Sequence, residues 1–97
     1  MPKGYWITTY KSILNMSKVE AYAKIAGPAI EAQGGIYLAR GVAAIVFEAG
    51  IKERTVLTVF PSVEAAIAAH DSENYRAALT ALSDGAIREI RIVEEAR

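Results

Sequence analysis

The chain has no cysteine, a single histidine, a single tryptophan and no excess charge of either sign. Each shortage removes a class of function. Without cysteine there is no disulfide, no thiolate metal site and no cysteine nucleophile. One histidine falls short of the ligands that a zinc site of the usual kind requires. Lys and Arg number 11 and Asp and Glu number 11, so no long-range field gathers nucleic acid or an anionic membrane. No uncharged run approaches the length that spans a bilayer. Met1-Pro2-Lys3-Gly4 leads straight into a strand pattern with no apolar signal region, so the reading is a cytoplasmic protein. Gly34-Gly35 follows a helix pattern and precedes a strand, the wrong order for a phosphate loop. No nucleophile elbow is present either.

What is there is an ordered set of patterns filling one domain, residues 1–97, with 53% apolar and 23% charged residues. Gly4 to Tyr10 is aromatic and β-branched and reads as a strand. Ser17-Lys18-Val19-Glu20 reads as a capping box, after which Val19, Tyr22, Ala26, Ala29, Ile30 and Gln33 recur at helical spacing. Gly27-Pro28 predicts a kink and Gly34-Gly35 a stop. Ile36 to Phe47 reads as a second strand, irregular near Gly41, and Glu48 to Glu53 as a polar turn. Arg54 to Phe60 is a third strand, antiparallel to the second and stopped by Pro61. Ser62 opens a second helix that Asp71-Ser72 interrupts and recaps, and Gly85 ends it. Ile87 to Glu94 closes the series, with Ile90 and Ile92 on one side and Glu89, Arg91 and Val93 on the other.

The order βαββαβ implies an α+β, ferredoxin-like sandwich: a four-stranded antiparallel sheet with two helices on one face. The other face then needs a cover. Both alternations of the first strand, Tyr5-Ile7-Thr9 and Trp6-Thr8-Tyr10, carry aromatic or apolar groups, as do both of the third. An open face of that kind is a large exposed patch on a monomer, so the economical reading is a homodimer joined sheet to sheet.

Arg40-Gly41, Glu48, the run Arg54 to Ser62, the Ala-rich turn and Asp71-Ser72-Glu73-Asn74-Tyr75 resemble the domain-of-unknown-function 1330 family. The opening Met1 to Trp6 and closing Ile92-Val93-Glu94 fit as well, so the likeness covers nearly the whole chain. It implies the dimeric α/β-barrel arrangement and no particular activity. Where relatives often have a second glycine after Arg-Gly, this chain has Val42. Where they have aromatics before the Ser-x-x-Tyr motif, it has Ala69-His70. Leu82 and Ile87 stand where relatives often carry an arginine and an acid, which implies a more apolar pocket.

The candidate site residues are Trp6, Tyr10, Arg40, Arg54 and His70. His70 is the one side chain that ordinarily titrates near neutral pH, and it is a weak candidate for a general base or an axial haem ligand. Against that stands a helix-end histidine bonded to Asp71. Arg40 and Arg54 sit on the hairpin strands and suit a carboxylate or phosphate, unless they are spent on ion pairs with Glu48 or Glu53. Trp6 and Tyr10 suit a cavity wall facing the opposing sheet. Tyr22 and Tyr75 point into a helix interior and need hydroxyl partners there. RNA-binding domains share this element order, but Ile36 to Gly41 lacks their aromatic-glycine signature and the net charge is zero.

Three readings follow from the residues and stay open at this point. One is a homodimeric barrel binding an apolar or weakly acidic small molecule, in the cavity between sheet and helices or between sheets. Another is a cofactor-independent enzyme of the monooxygenase or isomerase kind, or a haem-binding protein. The third is a structural or partner-binding dimer. No cofactor and no metal is expected.

Overall fold

The computed structural model describes residues 1–97. Four strands form one antiparallel sheet: β1 (Gly4–Ile13), β2 (Ile36–Val42), β3 (Arg54–Phe60) and β4 (Ala86–Glu94). Their spatial order is β2-β3-β1-β4. The helices are α1 (Met16–Ala32), α2 (Val63–Asp71) and α3 (Glu73–Leu82). The molecule is a slab 15 Å deep along its shortest axis, as one sheet and one helical layer require.

Alternation decides the two faces. Trp6, Thr8, Tyr10, Thr58 and Phe60 are buried against the helices, with Ile90 and Ile92 of β4 beside them in register. Tyr5, Ile7, Leu57 and Val59 form the opposite face. Trp6 therefore looks toward the helices, not toward an opposing sheet. Its ring stacks on Phe60 at 6.0 Å and meets Tyr75 edge-on at 5.0 Å. Small residues (Ala26, Ala29, Ala66, Ala69 and Ala78) fill the remaining helix contacts and bring the helices close to the sheet and to each other.

The second helix divides as its sequence predicts. Ser72 Oγ donates to the Ala69 carbonyl at 2.8 Å and accepts from the Tyr75 amide at 3.2 Å, so one hydroxyl ends α2 and starts α3. Ser62 caps α2 by accepting from the Ala65 amide. Gly4 lets β1 run close under the start of α2. A Cβ there would lie 2.7 Å from both the Ser62 carbonyl oxygen and the Val63 Cα.

Three local expectations are corrected. The cap of α1 is Asn15, whose Oδ1 accepts from the Lys18 amide at 3.2 Å, and Ser17 lies inside the first turn. The reason is tertiary: the Leu14 and Asn15 amides both donate to the Gly85 carbonyl, which pins the chain in extended form up to Asn15. For the same reason β1 runs on to Ile13, opposite Ala86, past a register shift between Tyr10 and Ser12. The second strand stops at Val42 instead of Phe47. The Ala43 amide makes the last rung to Glu53, and residues 43–53 form an irregular arm turned by the Gly50 amide on the Phe47 carbonyl. Through Pro28, α1 is continuous to Ala32.

Candidate functional site

The open face and the arm carry the exposed apolar surface. Ile36 and Val93 flank the sheet, and Ile45, Phe47 and Ile51 project from the arm, Phe47 with 74% of its surface free. Between arm and sheet lies a trough of about 560 Å³, floored by Thr9, Thr55 and the ion-paired Lys11, Glu89 and Arg91. It is an open trough, not an enclosed pocket.

The enclosed site lies on the other face, between the sheet and α1. β1 supplies Trp6, Thr8 and Tyr10, β2 supplies Tyr37 and Arg40, β3 supplies Arg54 and Thr58, β4 supplies Arg88, and α1 supplies Tyr22. Four of the sequence candidates, Trp6, Tyr10, Arg40 and Arg54, line one pocket. Strand alternation puts them there: Trp6 pairs with Thr58, Arg40 with Val56, and Tyr10 with Arg88, all on the helix-facing side. The interior space is about 30 Å³, room for roughly two water-sized groups.

His70 is elsewhere. Its ring packs 5.7 Å from Trp6 and 5.3 Å from Tyr75, and its Nδ1 lies 3.1 Å from Asp71 Oδ1. It borders a shallow groove of about 260 Å³ with Ile67, Ile90 and Ile92. That is the helix-end histidine bonded to Asp71. No group of three or more His, Cys, Asp or Glu side chains is placed to hold a metal ion.

Arg88 is the residue that sequence reading missed. It is half-buried, its Nη2 donates to the Tyr75 hydroxyl at 3.2 Å and its Nη1 to the Tyr10 hydroxyl at 3.4 Å. The guanidinium also lies 4.4 Å over the Tyr22 ring and 5.6 Å from the centre of the Tyr10 ring. Burial opposes its charge, but the tyrosines more than offset this and its pKa is raised above the ordinary arginine value. The signal was legible: period-2 alternation puts Arg88 on the same side of the last strand as Ile90 and Ile92. The pocket is therefore less apolar than Leu82 and Ile87 implied. Leu82 is buried in the core and Ile87 is exposed beside Arg88.

The ion pairs weighed for Arg40 and Arg54 do not form. Arg40 stacks 4.6 Å over Tyr37, and Glu53 instead accepts from the Arg54 backbone amide. The chain's side-chain ion pairs are Lys11–Glu89, Lys18–Asp84, His70–Asp71, Arg91–Glu89 and Arg97–Glu94. Arg40, Arg54 and Arg88 thus meet in one pocket without a carboxylate. The Tyr22 and Tyr75 hydroxyls share one hydrogen bond at 2.7 Å, and burial pushes the Tyr75 phenol well above the usual tyrosine value. Burial also raises Tyr37.

Fold and site together define a ferredoxin-like α+β domain with a polar-floored pocket between sheet and helices and an apolar face on the other side of the sheet. The sequence matches the model of the Domain of unknown function (DUF1330) family over residues 3–96, and the chain belongs to that family. None of the curated proteins matches it. Among solved structures it is similar to the protein of unknown function RPA0582 from Rhodopseudomonas palustris, with a TM-score of 0.77 at 15% identity over 99% of this chain and 84% of that one. SnoaB, a cofactor-independent oxygenase from Streptomyces nogalater, gives a TM-score of 0.65 at 14% identity, covering 100% of this chain and 95% of that chain. A dimeric ferredoxin-like protein of unknown function from Thermobifida fusca gives 0.55 at 14% identity, with 97% and 92% covered. At these identities the likeness concerns the fold.

Proposed function

We propose that this protein is a homodimeric binding domain for an apolar or weakly acidic small molecule, held inside each subunit between sheet and helices. The observation that carries the reading is the pocket itself: aromatic walls from Trp6, Tyr10, Tyr22 and Tyr37 around three guanidinium groups that no carboxylate neutralises. A purely structural domain gains nothing from leaving the Arg88 charge half-desolvated and without a carboxylate. The small interior volume admits a ligand's head group, with the remainder at the mouth beside Tyr37 and Arg40.

Self-association has separate support. The apolar open face and the trough under the arm are self-complementary in kind, since a partner's arm offers Ile45 and Phe47 to the trough. The dimeric relative from Thermobifida fusca has the same fold. The chain has no helix long and apolar enough to cross a membrane.

A monooxygenase-like enzyme is the second reading, favoured by the fold shared with SnoaB, described as a cofactor-independent oxygenase. The pocket has no carboxylate or histidine to take a proton, and Tyr75 holds its own more firmly than an ordinary tyrosine. Binding is therefore preferred over catalysis. Haem binding is disfavoured because His70 opens onto a shallow surface groove. Native mass spectrometry of the purified protein tests the proposal, reporting subunit count and retained ligand together. A monomer that carries nothing and binds nothing from a library of small organic acids and their neutral analogues would refute it.

A further inference from the structure

The hydrogen bonds around the pocket run in one direction. Arg88 Nη2 donates to the Tyr75 hydroxyl, so the Tyr75 oxygen is an acceptor there. Tyr75 is fully buried and its one neighbouring acceptor is the Tyr22 oxygen, so the Tyr75 proton goes to Tyr22. The Tyr22 proton is then left over, and Tyr22 lines the pocket. Thr8 behaves alike: its Oγ1 accepts from Trp6 Nε1 at 2.9 Å, and its own proton remains to be given. Arg88 has five N–H donors, of which two are engaged, both through long bonds of 3.2 and 3.4 Å. Arg40 and Arg54 add two more guanidinium groups free of carboxylates. The pocket is thus rich in donors and poor in acceptors.

Such a wall selects a ligand made of lone pairs and negative charge. Size and shape narrow it further. Space for about two water-sized groups matches the two oxygens of one carboxylate, whose plane suits the flat guanidinium fork. A tetrahedral phosphate needs more room than that and keeps its water more tightly. Aromatic walls suit the carbon skeleton behind a carboxylate and do nothing for a bare inorganic ion.

We propose that the pocket is a carboxylate site for small organic acids, in which Arg88 takes the carboxylate and Tyr22 donates the directional hydrogen bond that Tyr75 sets. This rests on the small-molecule reading above and names its ligand class. Tyr75 is a positioning residue here, since it reaches the ligand only through Tyr22.

Trp6 is the one tryptophan in the chain and stands in the pocket wall, so its fluorescence reports occupancy directly. The experiment titrates the full chain with propionate and benzoate, and in parallel with propionamide and benzamide, their neutral counterparts, in a buffer free of other carboxylates. The expected result is a saturable fluorescence change with the acids and at least tenfold weaker binding of the amides. Arg88→Gln should weaken the acids at least tenfold and the amides clearly less, so that the preference for acid over amide shrinks. Tyr22→Phe should weaken the acids severalfold, and it keeps the proposal testable if Arg88→Gln does not fold. Tyr75→Phe should weaken them less than Tyr22→Phe does. Acids and amides binding alike would overturn the carboxylate class while leaving a small-molecule pocket intact. Inorganic phosphate saturating the signal at lower concentration than either acid would also overturn it. No response to any of these probes would remove the pocket as a ligand site altogether.

Discussion

Ser72 joins two helices through one hydroxyl, and its removal can be worked out from the contacts. In Ser72→Ala the Tyr75 amide loses its 3.2 Å acceptor and the Ala69 carbonyl loses its 2.8 Å donor. The Ala69 carbonyl keeps the Ser72 amide at 3.3 Å, so it is not left bare. Loss of an N-cap hydroxyl costs roughly 0.5 to 2 kcal/mol, and this site is half-buried, which places the expectation at about 1 to 2 kcal/mol. Asp71 makes a side-chain contact only with His70 and is exposed, so Asp71→Ala should cost less than about 0.5 kcal/mol. For a domain of this size about 1 kcal/mol lowers Tm by roughly 4 to 8 °C. Thermal and urea unfolding of both variants should therefore separate them clearly. Ser72→Asp keeps an acceptor for the Tyr75 amide and should recover most of the loss. Equal stability of Ser72→Ala and the parent would refute the reasoning, because α2 and α3 would then not depend on that cap.

Other outcomes follow from the same geometry. Burial raises Tyr75 above its ordinary value of 10.0, so the folded chain keeps a proton that the unfolded chain releases above about pH 10. Stability should be full below that pH and fall by about 1.4 kcal/mol per unit as pH rises past it, and Tyr75→Phe should flatten this slope in alkaline denaturation. Gly4→Ala puts a methyl group 2.7 Å from backbone atoms of Ser62 and Val63, which cannot swing aside, and should cost about 1 to 3 kcal/mol by urea titration. Leu57→Lys on the open face should yield a folded monomer or aggregate in sedimentation. Val56→Lys should instead damage the fold, because Val56 packs against the core with the helix-facing set. A parent chain that sediments as a monomer at micromolar concentration would sink the paired-sheet arrangement.

The element order and the recapped second helix were legible because they rest on local chemistry. Alternation along Arg54 to Phe60 and 3.6-residue spacing after Val19 need no distant partner, and neither does the Ser72 cap. Alternation also sorted the strands into faces, but two faces of similar polarity left open which one met the helices. Only packing decided that Trp6, Thr8 and Tyr10 turn inward and that Tyr5, Ile7 and Thr9 turn out. Helix and strand ends moved for the same reason. Asn15 caps α1 because Gly85, seventy residues on, holds the chain extended up to it, and no local pattern carries that hydrogen bond. The site shows the division most plainly. Trp6, Tyr10, Arg40 and Arg54 could be named from residue type, whereas Arg88 becomes a pocket-lining group only when β4 lies beside β1 and sets its guanidinium on Tyr22. His70 lies outside that pocket, since α2 carries it to a surface groove. Residue type is local, and the free charge of a guanidinium depends on which carboxylates the folded chain brings near it, a property that only the tertiary structure decides.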